Sequence, residues 1–474
     1  MKMQTFVQPV QVTVPRKIFR AYDIRGNVTL LTAELVRQIA LALASHYILA
    51  NQKQVVLGFD ARLDSERYSQ MIAEVLQHAG LEVISIGCVS SPLLYFAALK
   101  YAGNGVMVTA SHNPSTDNGI KWLINGLPPI PSEIQGIADR IEQQDFVTLQ
   151  PVAVAAKVYS AFWDYGQFIQ HDIQLKAAHR ISLDGFHGSA GWIAKAVLQQ
   201  FGCQVDALHC EANGHFPLGA PDPSAVERLA ILRQSVLAQG SVMGIALDGD
   251  GDRVVILDEQ GNMVSPDRLM SLFAKMCLIE HPQAEIVCDV KCSTMIAQTV
   301  QRYAGRFRMI RTGSSFLRHY LCLHRAHFGG EFAGHYVFND GRGKGFDDGL
   351  YAALRLLEYL ERTGQSLTQA LAEFPERIAT PDMYIASHGI DGQMLMQCLE
   401  QQIDLDNIQL CTVDGIRLDF PYGFGIIRPS NTGEYFTVRF DADTAQHLAH
   451  IRQTFMHILQ PNFPQIAQAI ATAH

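Results

Sequence analysis

No stretch of this sequence is apolar for the roughly 20 residues that a membrane-spanning helix requires. The most apolar window, Ile39 to Ala50, is broken by Ser45 and His46. Met1 to Lys17 lacks the apolar run of a secretion signal. The nine cysteines include no CxxC pair and no regular spacing. That argues against a disulfide framework and predicts reduced thiols in the cytoplasm. Positive charge is in deficit: 37 Lys and Arg stand against 46 Asp and Glu, a net charge of −9. Such a chain has no general affinity for nucleic acid or an anionic membrane, although a few local cations still suffice to bind a phosphate. Low-complexity segments and charged tails are also absent.

What remains is an ordinary globular composition, 48% hydrophobic and 18% charged over 474 residues. That length accommodates roughly two to four domains. Apolar strands alternate with amphipathic helices. Thr32 caps a predicted helix to about Ala50, Gln54 to Phe59 reads as a strand, and Glu66 to Ala79 as a helix stopped by Gly80. Strand Leu81 to Ile86, a helix near Pro92 to Tyr101 and strand Gly105 to Val108 follow. The pattern restarts after a boundary near residue 156, with strands Arg180 to Asp184, Gln204 to Leu208, Val242 to Leu247 and Val254 to Leu257. Helices Gly188 to Phe201 and Ala225 to Ala238 lie among them. A third unit carries helix Asp267 to Ile279, strand Glu285 to Cys288, and helices Ser293 to Tyr303 and Ser315 to Arg325. Asp347 or Asp348 caps a helix that ends at Gly364. The last hundred residues differ: short strands Ile416 to Phe420, Gly425 to Arg428 and Tyr435 to Phe440 precede helix Thr444 to Leu459. This predicts three α/β domains with mixed, mainly parallel sheets and a smaller C-terminal α+β domain, bounded at 1–156, 157–261, 262–374 and 375–474.

Four polar stretches carry the chemistry. The first follows strand Gly105 to Val108: a loop, Ser111 to Asn118, contains Ser111, His112 and Pro114, with Lys121 just behind. Loops past a strand's carboxyl end are where α/β proteins place ligands. A serine there needs a base or a charge to become a nucleophile. In the second stretch, Asp248, Asp250 and Asp252 alternate with glycines. Carboxylates so close repel unless a cation joins them, and hard oxygen donors point to Mg²⁺ or Ca²⁺. An EF-hand is a poor fit, because Arg253 stands at the sixth position and strands flank the loop. In the third, Glu331 and His335 sit in a Gly-rich turn where a carboxylate can accept vicinal sugar hydroxyls. The fourth, Arg428, Ser430, Asn431 and Thr432, offers a guanidinium, hydroxyls and an amide suited to a phosphate dianion. Phe19 to Gly26, with Arg20, Tyr22 and Arg25, is a further candidate anion site, and Lys291 follows Asp289 at a strand end.

In this order and with these residues, the chain resembles the α-D-phosphohexomutase superfamily, most closely its bacterial phosphomannomutase/phosphoglucomutase group. The resemblance runs from about residue 19 to 440. It implies four domains around a central cleft and an enzyme that interconverts hexose 1-phosphates and hexose 6-phosphates of mannose or glucose. Ser111 would be the phosphoserine; Asp248, Asp250 and Asp252 would hold Mg²⁺ with a phosphoserine oxygen. Lys121 would be the general base, with His112, Arg20 and Arg253 beside the reacting phosphate. Tyr22, Lys291, Glu331, His335, Arg428, Ser430, Asn431 and Thr432 would bind substrate. Glucose 1,6-bisphosphate would act as activator. Neither nucleic acid nor membrane enters this scheme, and a monomer suffices. The sugar loop departs from the group at Phe332 and Ala333, and the phosphate loop at Gly433 and Glu434. These four positions bear on the choice among mannose, glucose and glucosamine phosphates. Phosphoglucosamine mutase and a metal-dependent sugar-phosphate phosphatase are the alternative readings.

Overall fold

The apolar runs become the central strands of four sheets in the computed structural model, which describes residues 12–150, 153–402, 408–430 and 433–473. The first sheet runs Ile24–Asn27, Asp117–Leu123, Gly105–Val108, Gln54–Phe59, Glu82–Cys88, Lys157–Val158. Its last four strands are parallel, and its first two join antiparallel. Val55, Val56, Val106, Met107 and Val108 are all buried, as expected of central strands covered by helices on both faces. The second sheet runs Val254–Leu257, Met243–Leu247, Arg180–Asp184, Gln204–Leu208, parallel except at its first pair. Helix Gly349–Thr363, from much later in the chain, packs against Met243–Leu247 and Val254–Leu257. In a third sheet, Glu285–Asp289 pairs in parallel with Arg306–Ile310 and Phe328–Gly330. The fourth is antiparallel, in the order Ile378–Ala379, Tyr435–Ala442, Gly423–Pro429, Ile416–Phe420, Gln409–Cys411, with Met383–Ala386 also on Tyr435–Ala442.

The chain divides into two compact units, each built from two segments: residues 1–264 with 333–369, and 265–332 with 370–474. Among the described residues, no helix is long and apolar enough to cross a membrane.

Several expectations need adjusting. The polar loop after Val108 is shorter than expected, because Asp117–Leu123 is already a strand. It returns antiparallel with Val108 opposite Ile120, and Thr109 N donates to Gly119 O at 3.0 Å. The helix expected over Ala225 to Ala238 is a 3₁₀ turn, Val226–Leu229, followed by helix Ala230–Gln239. Strand Phe328–Gly330 escapes a reading by pattern because two of its three residues are glycine. Gly329 is required there: a Cβ would lie 2.6 Å from Leu317 Cδ1 and 3.0 Å from Val287 O.

In the second unit, two buried arginines tie the fourth sheet to the loop after strand Glu285–Asp289. Arg417 Nη1 donates to Val290 O and Cys292 O, both at 2.6 Å. Arg439 Nη1 takes the carbonyl between them, that of Lys291. Arg439 Nη2 donates to Asp267 at 2.7 Å, and its guanidinium lies 3.6 Å from the centre of the Phe332 ring. The Nη1 of each guanidinium is thus matched to fixed carbonyls and Arg439 Nη2 to a carboxylate, while Arg439 Nε has no acceptor among the described residues. Arg439→Leu would strand Asp267 without its cation. We expect a loss of about 3–5 kcal/mol, read as a lower urea midpoint, and partial recovery on adding Asp267→Asn.

Candidate active site

Ser111 lies three residues past strand Gly105–Val108 and is buried. Its φ of 50° is a left-handed conformation that a serine adopts only when its surroundings impose it. Those surroundings start at Asp60, at the end of the neighbouring strand. Asp60 accepts from Thr109 Oγ1 at 2.7 Å, and Thr109 Oγ1 accepts the Ser111 N–H at 2.8 Å. Asp60 also accepts from Arg62 Nε at 3.1 Å and Ser65 Oγ at 2.6 Å. Arg62 then spreads its fork over four loop carbonyls: Pro114 at 2.6 Å, Asp117 at 2.9 Å, and Ser111 and Asn113 both at 2.7 Å. From strand Ile24–Asn27, Arg25 pairs with Asp23 and donates to Asn113 Oδ1 at 3.2 Å.

The Ser111 hydroxyl donates to Asp248 Oδ2 at 2.6 Å, and His112 Nδ1 lies 3.1 Å from the same Oγ. The acidic loop that follows strand Met243–Leu247 reaches the serine because Gly249 permits it. A Cβ on Gly249 would lie 2.4 Å from Ser111 O. The other end of the loop docks on helix Ser91–Leu99: Ser91 N donates to Asp250 O at 2.8 Å and Ser91 Oγ to Asp250 Oδ2 at 2.6 Å.

Asp248, Asp250 and Asp252 are all buried, with one carboxylate oxygen from each lying within 4.8 Å of the others. Asp250 Oδ1 and Asp252 Oδ1 are buried and meet no hydrogen-bond donor among the described residues. Orphaned oxygens on converging carboxylates are the donor set of a hard divalent cation. Lys121 Nζ donates to Asp250 Oδ2 and Asp252 Oδ2, each at 2.8 Å. Burial disfavours this ammonium, but Asp250 and Asp252 outweigh it and hold Lys121 well above its ordinary pKa. Burial, reinforced by Asp252 and Asp250, pushes Asp248 well above the usual carboxylate range. Asp250 also feels burial, yet Lys121 carries it below that range. His112 is driven far below its ordinary value by burial and then by Arg253, Arg25, His335 and Lys121.

Arg253 closes the acidic loop, its N–H donating to Asp248 Oδ1 at 3.2 Å. Its Nε donates to His335 Nε2 at 2.9 Å, and His335 Nδ1 lies 2.8 Å from Asp347 Oδ2. Both ring nitrogens of His335 therefore meet protein groups. Arg20 and Tyr22 occupy the turn before strand Ile24–Asn27, where Arg20 N donates to Asp23 O at 2.9 Å. The Arg20 Nε is buried without an acceptor among the described residues.

The second unit gathers the remaining candidates. Lys291 Nζ lies 2.6 Å from Asp382 Oδ2. Glu331, at the end of strand Phe328–Gly330, accepts the Gly313 N–H at 2.5 Å. Arg428 grips both oxygens of Asp414, at 2.9 and 3.3 Å, and Asp414 Oδ2 accepts the Thr312 N–H at 3.0 Å. One short segment, Thr312–Gly313, is thus hydrogen-bonded both to Glu331 and to the carboxylate that holds Arg428. Ser430 Oγ accepts the Gly433 N–H at 3.1 Å. Asn431 and Thr432 lie outside the described residues.

Sequence reasoning missed Asp60, Arg62, Ser91, Asp347, Asp382 and Asp414. A usable signal existed for Ser91, in the capping pattern Ser90-Ser91-Pro92, and for Asp60, at a strand's carboxyl end. Asp347 was read only as one of two candidate helix caps, a role that falls to Asp348, and Arg62, Asp382 and Asp414 carry no such signal.

Burial and the neighbouring Asp252 and Asp250 raise the Asp248 carboxyl, so a divalent cation entering this loop competes there with a proton. Apparent metal affinity should therefore rise with pH, with proton release on binding, in calorimetry across the acid-to-neutral range. Because the Asp248 pKa is raised by folding, the metal-free protein should lose stability as pH climbs through that raised value. Added cation should restore it.

Comparison with known proteins agrees with this geometry. Family profiles described as phosphoglucomutase/phosphomannomutase alpha/beta/alpha domains I, II and III match residues 16–148, 163–261 and 265–378. The chain is 36% identical over 448 residues to a phosphomannomutase/phosphoglucomutase of Pseudomonas putida, covering 94% of this chain and 96% of that one. It is 34% identical over 456 residues to a phosphoglucomutase of Neisseria gonorrhoeae, covering 95% and 98%. A crystal structure of a phosphoglucomutase/phosphomannomutase family protein from Burkholderia thailandensis superposes with a TM-score of 0.88 at 32% identity, covering 98% and 99% of the two chains. A buried serine set against an aspartate triad, within three matched domains and nearly full-length relatives, leads to one conclusion: the chain belongs to the phosphoglucomutase/phosphomannomutase family and is a phosphohexomutase.

Proposed function

We propose that this enzyme interconverts the 1- and 6-phosphates of mannose and glucose by relaying a phosphoryl group through Ser111. The observation that carries the proposal is the contact of Ser111 Oγ with Asp248 at 2.6 Å, beside two carboxylates with orphaned oxygens. Asp248, Asp250 and Asp252 would hold Mg²⁺, together with an oxygen on Ser111. When bound, the cation neutralises charge on the transferring phosphoryl group.

The protein's own groups supply the rest. In the first half-reaction the bond between phosphorus and Ser111 Oγ breaks as one forms to a sugar hydroxyl, whose proton passes to Lys121. The second half-reaction reverses this with the other end of the sugar bisphosphate. Lys121 serves as base only as a neutral amine: it first gives its ammonium proton to water, a loss that a cation taking Asp250 and Asp252 from it would favour. Arg253, fixed by His335 and Asp347, and Arg20, with its buried unsatisfied Nε, stabilise the charge spread over the phosphoryl oxygens. His112, kept neutral, orients the Ser111 oxygen. Tyr22 lines the same turn. Glu331 reads the sugar hydroxyls. Lys291 positions the sugar phosphate, and His335, with both ring nitrogens on Arg253 and Asp347, acts through Arg253. Arg428, Ser430, Asn431 and Thr432 bind the phosphate that is not transferred. Glucose 1,6-bisphosphate recharges Ser111.

The four domains divide at 1–156, 157–261, 262–374 and 375–474. The nine free thiols suit the cytoplasm, and the reaction as proposed calls for one copy of the chain.

The test is a coupled isomerisation assay with Mg²⁺ and a trace of glucose 1,6-bisphosphate. Mannose 1-phosphate and glucose 1-phosphate should turn over at comparable rates, and Ser111→Ala should abolish both. Turnover of glucosamine 1-phosphate alone would reassign the substrate, and net release of inorganic phosphate would overturn the mutase. Arg62→Lys keeps the charge but cannot span four carbonyls. It should lower kcat by about 100-fold, the usual cost of a misplaced reacting group, with little change in KM.

A further inference from the structure

Two cations of the second unit are proposed to meet substrate phosphate, and the protein holds them in opposite ways. Arg428 is framed. Its Nε and Nη2 edge is spent on both oxygens of Asp414, and Asp414 is itself fixed by the Thr312 N–H. Lys291 has a rigid base and a loosely matched tip. Its backbone is clamped, since Arg417 and Arg439 take the carbonyls of residues 290, 291 and 292. Its buried Nζ meets one carboxylate oxygen, Asp382 Oδ2, at 2.6 Å. The ring of Phe332 lies 5.7 Å from the same Nζ.

Asp382 is only half used. Its Oδ1 is buried and has no hydrogen-bond donor among the described residues. Asp441 of this unit also leaves an oxygen without a donor among the described residues, but its Oδ1 takes Arg377 through both Nε and Nη2 and Ser293 Oγ as well, and the Asp267 pair is filled on both oxygens. Asp267 takes Arg439 on one oxygen and the Ser293 N–H on the other. A one-point pair with an orphaned oxygen is a weak way to build a core and an apt way to hold a cation that must change partners.

We propose that Asp382 is an exchangeable counter-ion for Lys291. Sugar phosphate displaces the Asp382 carboxylate from the ammonium, and the carboxylate takes the ammonium back when the phosphate leaves. No covalent bond or proton moves in this exchange. It presupposes that Lys291 binds the sugar phosphate. Its use lies between the half-reactions, when a bisphosphate must let go and rebind turned round. A buried ammonium with no partner would hold the phosphate back. Asp382 supplies that partner, so affinity is given up for turnover, and Asp382 acts as a positioning residue through Lys291.

The prediction has an unusual sign, since removing a buried acid should tighten binding. Dissociation constants for mannose 1-phosphate are to be measured by calorimetry on the full-length chain carrying Ser111→Ala, and kcat and KM on chains with Ser111 intact. Asp382→Asn should bind about three- to tenfold more tightly, with a lower KM and a lower kcat, as for a competing charge removed from a binding pair. Lys291→Met should bind at least about tenfold more weakly, and adding Asp382→Asn to it should change nothing further. Asp382→Ser should repeat the tightening if the Asn variant fails to fold. Unchanged or weaker binding in Asp382→Asn and Asp382→Ser, with Lys291→Met still weak, would overturn the exchange and leave Asp382 a structural partner. Unchanged binding in Lys291→Met would instead remove Lys291 from the phosphate site, and the exchange with it.

Discussion

The reactive loop depends on one buried guanidinium. Arg62 is all but inaccessible to water, and its donors meet Asp60 and four main-chain carbonyls. Leaving such a cation unmatched in the interior costs several kcal/mol. The loop must therefore bring its carbonyls to Arg62, and only a narrow set of backbone angles does so. The left-handed conformation of Ser111 belongs to that set. Strain at Ser111 is stored against a charge that has nowhere else to go. Asp60 extends the constraint to the Ser111 amide through Thr109, so the serine is fixed from both its N–H and its carbonyl.

Facing this rigid loop is a cluster of acids whose charges are only partly balanced. Lys121 is shared by Asp250 and Asp252, the Arg253 main-chain N–H donates to Asp248, and oxygens on Asp250 and Asp252 remain without donors among the described residues. The contrast is functional. The Ser111 loop has its main-chain carbonyls matched by Arg62, while the acidic side keeps carboxylate oxygens without donors among the described residues. The second unit repeats the contrast on a smaller scale, with Arg428 framed and Lys291 loosely paired.

The sequence was most legible where chemistry is concentrated in a few consecutive residues. Ser111 with His112, and the run Asp248 to Arg253, announce themselves because no ordinary turn needs that many reactive groups so close together. The sheets were legible where strands are long and buried, as at Gln54–Phe59 and Met243–Leu247. Short strands were not, because Phe328–Gly330 and Gln409–Cys411 have too few residues to display a period. The supporting residues were hidden for another reason. Arg62 lies 49 residues from Ser111 and Asp250 lies 159 from Ser91. A lone arginine or serine carries no sign of the partner it will meet, and pairs such as Asp382 with Lys291 or Asp414 with Arg428 arise only from tertiary packing. His335 shows the same limit. Its presence in a Gly-rich turn suggested a substrate ligand, while its contacts with Arg253 and Asp347 could be seen only in the folded chain.

The two units are interleaved along the chain, and this bears on synthesis. The first unit leaves off at residue 264 and resumes at 333, so the ribosome must finish residues 265–332 before His335, Asp347 and helix Gly349–Thr363 emerge. Until then the acidic loop lacks the histidine against which Arg253 rests, and strands Met243–Leu247 and Val254–Leu257 lack the helix that covers them. A nascent chain therefore carries its aspartate triad for at least that interval without its final packing. The loop that carries Asp248, Asp250 and Asp252 thus reaches its final surroundings only after most of the polypeptide has been made.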